Sequence, residues 1–325
     1  MTERRPSAKG VSAAAERVAS HVTRTPLLPL DWEGGRVWIK AECLQRGGSF
    51  KLRGAINRLL QLSEAERERG VVAFSSGNHA QGVALAARSL GIAATIVMPA
   101  DAPAVKRDAT LAAGAEIVAY DRETESREAI GARLAAEKGA VLVPSFDDVD
   151  VIEGQGSVGV EIRAQLGMAA DKVLVPCGGG GLSAGIALAL PEAEIVTVEP
   201  EGWDDMARSL EAGEPVPVRE PAPPTRCDAL QTKLVSPLTL GALAEAHARG
   251  LWVSEPEIER AIAFAARHLR IVAEPGGAVA LAALLAGKAG PVSERTVVVV
   301  SGGNVDPALY AGILAAQAAD ARRGG

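Results

Sequence analysis

Short runs of β-branched and other apolar residues recur along this chain, and Ala-rich stretches of helix length separate them. The predicted strands are 37–42, 71–75, 94–98, 116–120, 141–144, 172–176, 194–198 and 296–300. Between them lie predicted helices over 52–62, 79–90, 103–113, 124–138, 156–166, 182–190, 256–269 and 277–285. Several strand runs are continuously apolar, as expected for strands buried on both faces of a parallel sheet. Strand-helix alternation of this kind implies βαβ units and an α/β doubly wound architecture. At 325 residues the chain is too long for one small core, so two lobes are expected. Residues 65–147 read as a βα repeat of their own, inserted between 1–64 and 148–325.

The net charge of −6 argues against nucleic acid or an anionic membrane as partner, since both call for a basic patch. With 3% aromatic residues, platforms for stacking bases are also scarce. No stretch is apolar enough over a sufficient length to span a bilayer. Cys43, Cys177 and Cys227 are odd in number and widely spaced, which disfavours a disulfide framework or a zinc site. No apolar run follows the charges at the N-terminus, so a secretory signal is not expected and a cytoplasmic location is.

Four segments carry chemistry. The first is G-G-S-F-K-L-R-G-A, from Gly47 to Ala55, with Lys51 at a turn-to-helix junction. Phe50 and Leu52 desolvate that lysine, and desolvation lowers an amine's pKa as imine chemistry requires. The second is S-S-G-N-H-A-Q-G, where Ser75, Ser76, Asn78 and His79 end a strand and open a helix. One capping residue would suffice there; the surplus of small and polar groups fits a substrate carboxylate at the helix N-terminus. His79 also reads as an ordinary structural hydrogen-bonder. The third is P-C-G-G-G-G-L, in which Gly178, Gly179, Gly180 and Gly181 join an apolar strand to a helix starting near Leu182. Such a loop presents N–H groups and a helix dipole to an anion. It matches neither G-x-G-x-x-G nor G-x-x-x-x-G-K-[ST], so a dinucleotide or nucleoside triphosphate is not indicated. The fourth is S-G-G-N, from Ser301 to Asn304, at a strand C-terminus where open α/β sheets bind ligands. An imine-forming lysine, a phosphate loop and polar groups for a flat ring together suit pyridoxal 5'-phosphate.

With these segments in this order, the chain resembles the fold-type II pyridoxal-phosphate enzymes, in the threonine/serine dehydratase and serine racemase branch. The resemblance covers about residues 22–306 and extends to T-P-L at Thr25, G-Q-G-S-V-G-V-E-I at Gly154, V-E-P at Val198 and E-P-G-G-A at Glu274. It implies two open, twisted, mostly parallel-sheet lobes with the cofactor between them. It further implies that Lys51 binds the cofactor as an imine and acts as the base at Cα. Phe50 is then beside the ring, Asn78 at its phenolic oxygen and Ser301 at its nitrogen, and Glu274 joins the cofactor shell. Gly178 to Gly181 with Leu182 hold the phosphate, and Ser76 stands on the face opposite Lys51. Serine at the ring nitrogen cannot stabilise a pyridinium as a carboxylate would, which suits β-elimination better than transamination.

The same resemblance implies a Mg²⁺ or Ca²⁺ site in E-P-E-G-W-D-D, with Glu199 and Asp205 binding by carboxylate and Trp203 by its carbonyl. A solvated acidic loop is the plain alternative. Cys227-Asp228-Ala229 stands where the family often has Asp-Gly, a departure in the loop that carries Thr232, a match for a substrate-carboxylate contact. Arg127 resembles a substrate-side arginine, or is a helix-surface charge paired with Glu123. The expected activity is ammonia elimination from L-threonine and L-serine by a homodimer. Serine racemisation, 3-hydroxyaspartate dehydration and non-catalytic amino-acid or cofactor binding on the same scaffold are the alternatives.

Overall fold

The computed structural model describes residues 4–323, apart from Gly34, Ser76 and Pro103. Ten strands form two sheets. They are β1 (Leu27–Trp32), β2 (Gly35–Ala41), β3 (Val71–Phe74), β4 (Ala94–Pro99), β5 (Glu116–Tyr120), β6 (Val141–Leu142), β7 (Lys172–Pro176), β8 (Glu194–Pro200), β9 (Arg249–Val253) and β10 (Thr296–Val300). The larger sheet runs β1-β2-β10-β7-β8-β9 and the smaller β5-β4-β3-β6. Every pairing is parallel except the β1–β2 hairpin. Strands β7 and β10 are buried along their whole length, as the apolar runs 173–175 and 297–300 within them lead one to expect of interior parallel strands.

Two strands lie outside the sequence expectation. β1 contains Pro29, which cannot donate to a ladder and is tolerated here because β1 is an edge strand. β9, R-G-L-W-V, is the opposite edge, and its apolar run is only three residues long behind an arginine and a glycine. The last helix, Pro307–Arg323, is opened by a proline suited to a helix's first position.

A buried ion cluster anchors the helix Lys51–Leu60. Arg53 has no solvent exposure and grips both oxygens of buried Glu42, at 2.8 and 2.9 Å, and both of Glu161, at 2.7 and 2.9 Å. Lys40 adds its ammonium to Glu161 at 2.6 Å, and Thr25 donates to Glu42 at 2.5 Å. Bidentate guanidinium geometry satisfies the carboxylates that burial would otherwise penalise. The cluster links β2, the segment after it and the helix Ser157–Leu166 to the first turn of the helix that begins at Lys51.

Candidate active site

Parallel pairing of β2 with β10 brings the ends of both strands to one edge of the larger sheet. The segments that follow them then zip together. Phe50 N–H donates to the Ser301 carbonyl at 3.2 Å, and Gly303 N–H to the Gly48 carbonyl at 2.9 Å. Gly48 has φ +72, and a Cβ there would fall 2.1 Å from Oδ1 of Asn304, so only glycine fits this crossing. The turn delivers Lys51 as the first residue of its helix, with no side-chain cap beneath it. Gly82 lets the helix Asn78–Leu90 pack directly on this turn, since a Cβ at Gly82 would meet the Lys51 carbonyl carbon at 3.0 Å.

The Lys51 ammonium donates to the Ser145 carbonyl at 3.0 Å and has no carboxylate partner among the described residues. Desolvation lowers its pKa from 10.5 to about 8. The neutral amine that attacks an aldehyde is therefore substantially populated at neutral pH. Cofactor uptake by the apoprotein is expected to quicken roughly tenfold per pH unit below pH 8 and to level off above it. Stopped-flow absorbance against pH checks this; a rate still climbing toward pH 10 would mean an unperturbed lysine.

Asn78 opens the neighbouring helix and is buried. Its amide donates to Oε1 of Glu274 at 2.5 Å, and its carbonyl oxygen accepts from Asn304 at 2.8 Å. Burial, and then the charge of Asp228, push the Glu274 carboxyl up to about 8, so it holds a proton at neutral pH. Between β7 and the helix Gly181–Ala189, Gly180 takes φ +84. A Cβ on Gly179 would lie 2.3 Å from the Phe146 ring. The first N–H groups of that helix lack intrahelical partners and face the loop.

One cavity is lined by Phe50, Lys51, Asn78, Gly178, Gly179, Gly180, Gly181, Leu182, Thr232, Glu274 and Ser301. Ser145, Phe146, Pro176, Ala229 and Leu230 also line it. Pro176 and Ala229 fall in segments already noted in the sequence, but none of the five was read there as a site residue. Their signal is positional, since Ser145 and Phe146 follow the C-terminal end of β6, where parallel sheets bind ligands.

Three residues read as substrate contacts stand elsewhere. Ser75 turns its hydroxyl to the N–H of Gly77 at 3.1 Å. His79 is buried with Nε2 donating to the Val143 carbonyl at 2.8 Å, and burial, followed by the Lys51 charge, drops its pKa to about 3. It is a neutral ring tying its helix to the segment after β6, not a cavity group. Arg127 is an exposed helix-start residue paired with Glu128 at 2.8 Å, not with Glu123, and its guanidinium stacks over Phe74. Ser76 lies outside the described residues.

The two carboxylates read as ligands in the acidic loop are not solvated, although Glu201 between them is exposed. Glu199 and Asp205 have no exposure. Glu199 accepts the N–H groups of Met206 and Ala207 at 2.9 and 2.8 Å, whereas neither Asp205 oxygen meets a partner among the described residues. Burial raises the pKa of both carboxyls, and Asp205 adds to the rise at Glu199. Trp203 turns its indole N–H to the Pro223 carbonyl at 2.9 Å. Among the described residues no group of three or more His, Cys, Asp and Glu side chains gathers as a metal site.

A family model described as pyridoxal-phosphate dependent enzyme matches residues 18–303. The chain belongs to that family. The L-threo-3-hydroxyaspartate ammonia-lyase of Pseudomonas sp is 45% identical over 312 residues, covering 94% of this chain and 97% of that protein. The enzyme of the same name from Saccharomyces cerevisiae is 41% identical over 317 residues, covering 95% and 96%. The structure of maize serine racemase superposes with a TM-score of 0.89 at 34% identity, covering 98% of this chain and 100% of that one. The fold is accordingly fold-type II, and the chain is a pyridoxal-phosphate-dependent enzyme of the ammonia-lyase and racemase group. Among the described residues no helix is long and apolar enough to cross a membrane.

Proposed function

We propose that this enzyme eliminates water from a β-hydroxy amino acid and that the enamine left behind tautomerises to an imine, which takes up one water to release ammonia, with 3-hydroxyaspartate preferred over L-threonine and L-serine. The products are then oxaloacetate and ammonia, which balance the substrate's atoms. The observation that carries the preference is full-length likeness to two ammonia-lyases of that name, at 45% and 41% identity. This moves the emphasis away from L-threonine and L-serine, the first expectation from the motifs.

Bound pyridoxal phosphate supplies an aldehyde for the substrate amine and a ring that withdraws electrons from Cα. The chain's own residues do the rest. Lys51 holds the cofactor and, once displaced by substrate, offers its amine as the base at Cα; a pKa of about 8 leaves it able to take and return a proton near neutrality. The N–H groups at Gly178 to Gly181 and Leu182 hold the phosphate, and Phe50 walls the ring. Glu274, through Asn78, fixes an amide for the phenolic oxygen. Ser301 offers a hydroxyl and no negative charge to the ring nitrogen. Thr232 and the N–H groups at the start of the Asn78 helix take the substrate's α-carboxylate. The stretch 65–147 closes over 1–64 and 148–325 as a lobe. A second reading, serine racemisation, is supported by the maize serine racemase likeness; Ser76 would then be the proton carrier on the face opposite Lys51.

The loop after β8 fits a divalent cation, because the two unpartnered oxygens of buried Asp205 beside Glu199 want positive charge. Glu199, Asp205 and the Trp203 carbonyl would hold Mg²⁺ or Ca²⁺ and stabilise the lobe. β8 pairs with β7, and Met206 packs against Gly180, so the effect reaches the phosphate loop. EDTA is expected to lower the melting temperature and turnover of the wild type together, and Mg²⁺ to restore both. In Asp205→Ala neither addition should act; a wild type indifferent to both would remove the cation.

The substrate assignment is tested by kcat/KM for L-threo-3-hydroxyaspartate, L-threonine, L-serine and D-serine, scoring oxo acid and inverted amino acid separately. Hydroxyaspartate should lead by at least about tenfold. Serine inversion outrunning every elimination would favour the second reading.

A further inference from the structure

A second carboxylate on the substrate demands a cation, and the cavity wall offers none to spare. Among the described residues lining it, Lys51 is the one with a basic side chain, and it is committed to the cofactor. Arg127 is exposed and turned to Glu128. One further cation stands at the edge. Lys106, on the helix Ala104–Ala112, has a side chain only 14% exposed, and its ammonium would lie 3.9 Å from a Cβ placed on Gly77. Among the described residues, and apart from the glycine's own chain neighbours, nothing else comes within 4 Å of that point. This ammonium therefore lies beside the N-terminus of the Asn78 helix.

Lys106 is paired with Asp228, whose side chain is 46% exposed. Asp228 immediately precedes Ala229, Leu230 and Thr232 of the cavity wall. Both charges are felt at Glu274 of the cavity wall, where Asp228 raises the carboxyl's pKa and Lys106 lowers it. An exposed carboxylate of this kind gains little from its partner, and a substrate carboxylate is the same chemical group. Asp228 thus stands in for it.

We propose that Lys106 is the specificity-determining cation that receives the second carboxylate of an acidic amino-acid substrate, displacing Asp228. The proposal rests on the hydroxyaspartate reading and deepens it.

The test uses the holoenzyme with L-aspartate and L-alanine, which lack a leaving hydroxyl, following the cofactor's visible spectrum to obtain both dissociation constants. Wild type is expected to prefer L-aspartate by about 10- to 100-fold, the worth of a hydrogen bond between charged groups. Lys106→Met should abolish that preference and Lys106→Arg largely keep it. Asp228→Asn should tighten L-aspartate several-fold by removing the competitor, which a purely structural pair would not do. If wild type favours L-aspartate and Lys106→Met still does, the hydroxyaspartate reading stands and Lys106 is not its cation. Parallel weakening of both ligands in Lys106→Met would likewise overturn the assignment, leaving Lys106 a structural support. A wild type that prefers neither ligand would overturn the hydroxyaspartate reading and this proposal with it.

Discussion

Lys51→Ala is expected to lower turnover by more than about 10⁴-fold and to erase the spectrum of lysine-bound cofactor, while the protein stays folded. The chemistry loses both its tether and its base. The fold loses little, because the Lys51 ammonium makes one hydrogen bond, to the Ser145 carbonyl, and sits where desolvation already disfavours its charge. Circular dichroism and the apoprotein melting temperature should stay close to wild type. Small primary amines should restore a fraction of the activity, since they replace the missing base without the tether. Near-wild-type turnover without added amine would show that another residue holds the cofactor.

Arg53→Leu is expected to act in the opposite way, through the fold. It leaves Glu42 buried without its bidentate partner and strips Glu161 of one of its two cations. Breaking a buried pair from one side costs about 3–5 kcal/mol, which corresponds to a melting-temperature drop on the order of 10 °C. Arg53→Lys should also be poor, since an ammonium cannot reproduce the fork on two carboxylates. The double variant Arg53→Leu, Glu42→Leu should recover part of the loss, because it removes one stranded charge. Thermal melts of the three proteins decide; an Arg53→Leu protein as stable as wild type would mean the cluster is cosmetic. Cofactor affinity should fall with stability, as Arg53 lies on the same helical turn as Lys51.

What was legible in the sequence shares one property. Lys51, Asn78, Ser301 and the four glycines sit where a strand or turn gives way to a helix or loop, and such junctions combine small residues with polar ones only where backbones cross or a ligand approaches. The crossing of Gly48 with Asn304 and of Gly179 with Phe146 shows the physical demand behind those glycines. Other features gave no local signal. Ala229, Leu230 and Phe146 reach the cavity through tertiary packing. The direction of Arg127 depends on how its helix is rotated, which charge spacing alone does not fix. Ser75 and His79 look like ligand groups by type, but neighbouring backbone claims both. Nothing local marks Arg53, two residues beyond Lys51, as buried; its partners Glu42 and Glu161 come from other segments of the chain.

The central claim is that the cofactor resides on Lys51 within the cavity between the glycine loop and the Ser301 strand end. Borohydride reduction of the holoenzyme, followed by proteolysis and peptide mass spectrometry, tests it most directly, since reduction fixes the cofactor to whichever lysine holds it. The expected result is a single phosphopyridoxyl addition, on the peptide that contains Lys51 and at that residue. An addition on Lys106 or any other lysine, or none in protein that turns substrate over, would contradict it.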